Sequence, residues 1–189
     1  MSMVSCVFRW LLCIAALTIG TACESNQLLL PDDDITRSHL LVNSYTYIRD
    51  HDNYGKEDYW ATPEETILRE SGDCEDFAIL KMKLFLEHGI PQENLRLGYV
   101  VVGKTKEAHI VLYHSYDAGF HEAKTLVYDS LTDRVDTLEE RRDIVPIYSL
   151  SPMGVFKDTI GSRSRTLGPL KLLAGSEAYR VVSSAFISF

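Results

Sequence analysis

The hydrophobic spacing of this 189-residue chain changes character once, at Gly89-Ile-Pro91. Upstream, apolar residues recur at helical intervals: Ile35, Leu40, Leu41, Tyr45 and Ile48, then Phe77, Leu80 and Leu84. Downstream, residues 95–103, 108–115 and 125–129 are short runs of β-branched and aromatic side chains, the composition of strands. Helices first and turn-linked strands afterwards predict an α+β fold, with N-terminal helices packed on an antiparallel sheet. Hydrophobic residues make up 46% of the chain and charged residues 24%, which supplies a core and excludes general disorder. No repeat or low-complexity tract divides the chain, and its length suits one domain.

The spacing predicts a first helix over about 35–50 and a loop at His51-Asp-Asn-Tyr-Gly-Lys56. Thr62-Pro-Glu-Glu65 reads as a capping box with proline at the first helical position, opening a helix to Glu70 that Ser71-Gly72 break. A further helix runs from Cys74 to His88 and stops at Gly89 and Pro91. Residues 116–124, with Gly119, form a turn between two strands, and 144–150 is another strand. Residues 151–189 scatter Gly, Ser and Pro and carry no assigned element.

Arg9, the apolar run Trp10–Ile19 and the small-residue end Gly20-Thr-Ala22 have the layout of a secretory signal peptide over 1–22. The run is short for a membrane span. The folded part, 23–189, is therefore expected to be exported. Cleavage after Ala22 would make Cys23 the first residue, as in a bacterial lipoprotein, so a lipid anchor at Cys23 stays open, as does an uncleaved N-terminal anchor. The net charge of −8 argues against nucleic acid as a partner. Of the cysteines at 6, 13, 23 and 74, the leader removes two. A thiol left unpaired in an oxidising compartment is a liability unless it is buried or used.

Cys74 opens a predicted helix, where unpaired N–H groups and the helix dipole favour a thiolate. A cysteine nucleophile also needs a histidine and a group that orients it. Six histidines compete: His39, His51, His88, His109, His114 and His121. His109 and His114 fall on opposite faces of one strand. His109 opens the apolar run Ile-Val-Leu-Tyr and is fixed by its neighbours, whereas His114 closes it near a loop and is expected to be more exposed. Asp129 ends the next strand, where adjacent pairing would set it beside His109; a turn aspartate is the plainer reading.

Asp73, Glu75 and Asp76 crowd Cys74, and carboxylates oppose a thiolate. Helix capping accounts for Asp73 and Asp76. A hard cation such as calcium accounts for all three and cancels their charge, with further ligands to come from elsewhere, the 51–60 loop being a candidate. Trp60 reads either as a site-lining residue or as a core aromatic.

Trp60-Ala-Thr-Pro63, Gly72-Asp-Cys-Glu-Asp-Phe-Ala78, Leu95-Arg-Leu-Gly-Tyr-Val100, Ala108-His-Ile-Val-Leu112 and Leu126-Val-Tyr-Asp129 together resemble the bacterial transglutaminase-like cysteine proteinases, over roughly 35–150. The resemblance implies a papain-like, transglutaminase-like fold and a catalytic triad of Cys74, His109 and Asp129. It also implies calcium bound by the carboxylates flanking the nucleophile, and a periplasmic location. The implied substrate is a large cell-surface adhesin, cleaved near paired alanines to regulate biofilm attachment. The implied partner is an inner-membrane cyclic-di-GMP receptor whose periplasmic domain sequesters the enzyme. Two other readings use the same scaffold: a transglutaminase-like acyltransferase, and a non-catalytic periplasmic binding module. The reaction product separates the first from a protease, and the reactivity of the thiol separates the second.

Overall fold

The computed structural model describes residues 33–117, 123–160, 165–169 and 180–181. The leader at 1–22, Cys23, Gly119 and His121 lie outside the described residues. In chain order the elements are α1 (Asp33–Asn43), β1 (Thr46–Tyr47), α2 (Asp50–Tyr54), α3 (Pro63–Arg69), β2 (Ser71–Gly72) and α4 (Cys74–Glu87). There follow β3 (Leu95–Val102), β4 (Ala108–Asp117), β5 (Ala123–Tyr128), β6 (Asp136–Thr137), β7 (Ile144–Ser151), β8 (Gly154–Lys157) and β9 (Arg165–Gly168). The last seven form one antiparallel sheet in the order β6-β5-β4-β3-β7-β8-β9, and β1 and β2 make a separate parallel pair. The fold is α+β, with helices preceding the sheet.

Several elements depart from the expectation. α1 stops at Asn43 because Ser44 turns the chain, its hydroxyl donating to the Leu41 carbonyl at 2.6 Å. Tyr45 and Ile48 continue the helical spacing from non-helical backbone, where Tyr45 packs edge-on against Phe77 of α4. The expected loop at 51–56 holds the short helix α2, closed by Gly55 in the left-handed region at φ 67°. β1 and β2 have two residues each and give no periodic signal. In β7, Pro146 has no N–H to donate. The pairing with β3 skips Ile147 beside it, and β8 begins to pair only at Tyr148, so the missing donor breaks no ladder bond to β8.

The capping box at α3 forms as read: Glu65 N–H donates to Thr62 Oγ1 at 3.3 Å and Thr62 N–H donates to Glu65 Oε2 at 2.8 Å. α4 is the central helix. Ala78, Ile79, Met82 and Phe85 pack with Leu97, Ile110, Leu112, Leu126 and Tyr128 of the sheet. Burying each large side chain contributes about 1.5–3 kcal/mol. A second cluster, including Val100, Val111, Tyr113 and Val127, is built from the alternate residues of the same strands. No described helix is long and apolar enough to cross a membrane. This packing lays the start of α4 against β4 and places the end of β5 beside it.

Candidate active site

Cys74 is the first residue of α4, and the segment before it is held by the parallel pair. Tyr47 pairs with Gly72, and Ile48 N–H donates to the Gly72 carbonyl at 2.9 Å. Gly72 has no room for a side chain: a Cβ there would lie 2.7 Å from both Cβ and Oδ2 of Asp76. The Asp76 carboxylate accepts from Ala61 N–H at 2.8 Å and from Asp73 N–H at 3.4 Å, which ties the Trp60-Ala61 segment to the start of α4. The Cys74 thiol donates to Glu75 Oε2 at 3.0 Å. Burial, followed by the charge and hydrogen bond of Glu75, pushes the thiol pKa far up, while the nearby Ile110 backbone acts in the thiolate's favour. Ile110 is the neighbour of His109, so the sulfur meets β4 next to that histidine.

His109 is buried, and its Nε2 lies 2.6 Å from Asp129 Oδ1. The geometry follows from register. Leu112 pairs with Tyr128, so one further step sets Asp129 opposite Val111, on the face that His109 shares. Asp129 is fully buried and held on three sides. Oδ1 also accepts Leu131 N–H at 2.9 Å, and Oδ2 accepts Arg141 Nη2 at 2.6 Å. Burial opposes its ionisation, yet the bonds from His109, Leu131 and Arg141 hold the carboxyl well below the ordinary aspartate range. Arg141 is 3% exposed and also grips Asp143 through Nε and Nη2, both at 2.8 Å.

The carboxylates beside Cys74 belong to a larger group. Oxygens of Asp50, Asp58 and Glu75 lie within 4.8 Å of one another, as do those of Asp50, Asp73 and Asp76. All but Asp58 are buried. Burial, then the charge of Asp73, pushes Glu75 up to about 8, and burial pushes Asp76 up to about 7 despite the Ala61 N–H. Asp73 is raised in the same way, and its Oδ1 has no hydrogen-bond partner among the described residues. Crowded, mostly buried, all-oxygen donors suit calcium, which takes about six to eight oxygens.

The remaining sequence candidates fall elsewhere. Contrary to expectation His114 is buried: β4 runs on to Asp117, which leaves His114 inside the strand against Tyr116 and Tyr128. Trp60 packs in the core, and its Nε1 donates to Asp58 Oδ1 at 3.1 Å, so it orients one of the clustered acids. His51 is exposed, and His88 faces Ser38 at 3.1 Å. Arg141 is hidden in the run Glu139-Glu140-Arg141-Arg142-Asp143, which reads as a solvated face. Asp58 lies in the 51–60 loop that the sequence offers as a source of further ligands, and Asp50 falls just before it; the spacing singles out neither.

A helix-start cysteine packed on a sheet, and a strand histidine in contact with the aspartate that follows the neighbouring strand, form a layout shared with papain-like and transglutaminase-like cysteine enzymes. The chain belongs to the bacterial transglutaminase-like cysteine proteinases, whose family model matches residues 33–142. Among solved structures it is similar to calcium-bound LapG of Legionella pneumophila, at 32% identity and a TM-score of 0.59, covering 71% of this chain and 74% of that one. It is also similar to EGTA-treated LapG of the same organism, at 27% identity and a TM-score of 0.64, covering 80% and 77%. No curated protein matches the chain.

Proposed function

We propose that this chain is an exported, calcium-dependent cysteine endopeptidase of the periplasm. Its substrate would be a large cell-surface adhesin cut near paired alanines, which releases the adhesin and regulates biofilm attachment. An inner-membrane cyclic-di-GMP receptor would control it by sequestration through a periplasmic domain. The observation that carries the catalytic reading is the 2.6 Å His109–Asp129 contact on the strand whose next residue, Ile110, belongs to the core cluster against which Cys74 packs. The adhesin substrate is what the family resemblance implies, the similarity to LapG supports the cysteine protease class, and the calcium-bound and EGTA-treated forms of that protein support the metal.

In this reading His109 takes the Cys74 proton on Nδ1, and Asp129 orients the ring and stabilises the imidazolium. The thiolate attacks the substrate carbonyl, and the Cys74 backbone N–H at the helix start helps to hold the oxyanion. His109 then protonates the leaving amine as the C–N bond breaks, and water releases the acyl-enzyme. Asp73 and Glu75 would hold calcium, with Asp50 and Asp58 completing the oxygen set and Asp76 divided between the metal and its two backbone N–H donors. Calcium held there would supply positive charge beside the thiol and would fix the segment that carries it. Excess calcium chelator is expected to abolish proteolysis and lower the melting temperature, and restored calcium to recover both. Full activity in chelator would overturn the metal assignment.

A further inference from the structure

α4 covers only part of the sheet face on which it packs. Strand register sorts that face into rows running across β4, β3 and β7. Leu112, Leu97 and Leu150 form one row, and all three are buried in the core cluster with α4. Ile110, Tyr99 and Tyr148 form the next row, and Ala108, Val101 and Val145 the one beyond. Steps of two along β4 and β3 keep all three rows on one face. In β7 the extra residue Ile147 keeps Val145 on that face, although it lies three residues from Tyr148. Burial falls from row to row. Ile110 is buried, Tyr99 and Tyr148 are half-buried, and Ala108 and Val145 are exposed, Val145 at 50%. The helix begins at Cys74, which packs on the cluster that contains Ile110, so its cover ends near the thiol.

The uncovered rows are apolar and aromatic. Tyr99 and Tyr148 stack with ring centroids 4.7 Å apart and planes 4° apart, which makes a rigid aromatic pair. β3 and β7 are each paired on both sides, so this face offers a ligand side chains and no free strand edge. It suits an extended chain whose apolar side chains lie across the strands, not an added strand. Neighbouring strands lie about 4.8 Å apart, so the row from Ile110 to Tyr148 spans about 10 Å, or about three residues of extended chain. β5, which leads to Asp129, lies on the other flank of β4, so the uncovered rows on β3 and β7 extend away from it. We propose that Tyr99, Val101, Val145 and Tyr148 form a substrate subsite that receives apolar residues about two to four positions from the bond that is cut. The occupant is the substrate polypeptide, because the face continues directly from the residue row against which Cys74 packs. The proposal rests on the reading of Cys74 as the nucleophile of an endopeptidase, and it adds a selection for apolar neighbours of the paired alanines.

The test uses the calcium-loaded full chain and a peptide library in which the residues on either side of an Ala-Ala pair are varied, with cut sites and relative rates read by mass spectrometry. Wild type is expected to cut members with Leu or Val about two to four positions from the cut about tenfold faster than members with Lys there. Val145→Glu changes an exposed side chain and is expected to fold. In that variant the preference is expected to reverse, with Lys members cut faster, because a carboxylate now stands on the face. Alkylation of Cys74 by iodoacetamide, a reagent too small to use the face, is expected to match wild type. Damage to the reacting centre would slow the alkylation and every library member together, and would not reverse a preference. A wild type without the apolar preference, or a preference unchanged in Val145→Glu, overturns the proposal. So does a wild-type dimer that Val145→Glu converts to monomer in sedimentation, since a second copy would then cover the face. Should Val145→Glu fail to fold, Val145→Thr keeps the shape and adds a hydroxyl. The advantage of Leu and Val members is then expected to fall about threefold, and no fall overturns the proposal equally. A wild type that cuts no member would instead overturn the reading as a paired-alanine endopeptidase, and the proposal with it.

Discussion

Asp129 shows how single residues set this site. Its carboxylate accepts from His109, Leu131 and Arg141 with no exposed surface, so it stays ionised where burial alone would neutralise it. Arg141→Ala would leave that charge facing an empty place. A loss of about 3–5 kcal/mol of stability is expected by denaturant titration, because removing one partner of a buried ion pair strands the other. Arg141→Lys is expected to recover only part of it, since one ammonium cannot reproduce the shared grip on Asp129 and Asp143. Wild-type stability in Arg141→Ala would contradict this. At this scale Cys74, His109 and Asp129 were legible because each has a local signature: a helix start, an apolar strand run, a strand end. Arg141 was not, because it sits in a charge run that looks solvated. Its burial is decided by contacts between elements far apart in sequence.

The elements that hold the nucleophile are short and unusual. β1 and β2 fix Ser71 and Gly72, directly before Asp73 and Cys74. Gly72 lies so close to Asp76 that a methyl group must displace one of them. Gly72→Ala is therefore expected to cost about 1–3 kcal/mol, the usual penalty for overpacking. It should also slow Cys74 alkylation, because Asp76 could no longer hold Ala61 N–H and Asp73 N–H together. A variant with wild-type melting and alkylation would contradict that account. The long elements were legible: α4, β3, β4 and β5 follow their hydrophobic spacing, and α3 follows its capping box. α2, β1 and β2 were not, because two to five residues carry no period and their pairing depends on tertiary contact. The spacing overextends α1 because Tyr45 keeps the helical interval while packing on Phe77 from non-helical backbone.

Across the whole molecule, the balance of charge is the controlling quantity. Glu75, at about 8, and Asp76, at about 7, lie above their unfolded values, so the metal-free native state keeps protons that the unfolded chain has released. These two groups therefore destabilise the metal-free fold progressively as pH rises from the ordinary carboxylate range through about 8. Calcium has to displace the same protons. The rise in melting temperature on adding calcium is thus expected to be larger at about pH 8.5 than at about pH 6, measured by calorimetry at fixed ionic strength. An equal rise at both values would separate calcium from these carboxylates. The acidic trio was visible in the sequence, but Asp50 and Asp58 join it only when α2 and the Trp60 segment fold back onto the start of α4. The most direct measurement of the central claim is cleavage of an adhesin fragment bearing a paired-alanine segment, with the new N-terminus mapped by mass spectrometry. The account predicts one cut beside the alanines by the calcium-loaded protein, and none by a folded Cys74→Ala variant. Cleavage that survives in Cys74→Ala would contradict it.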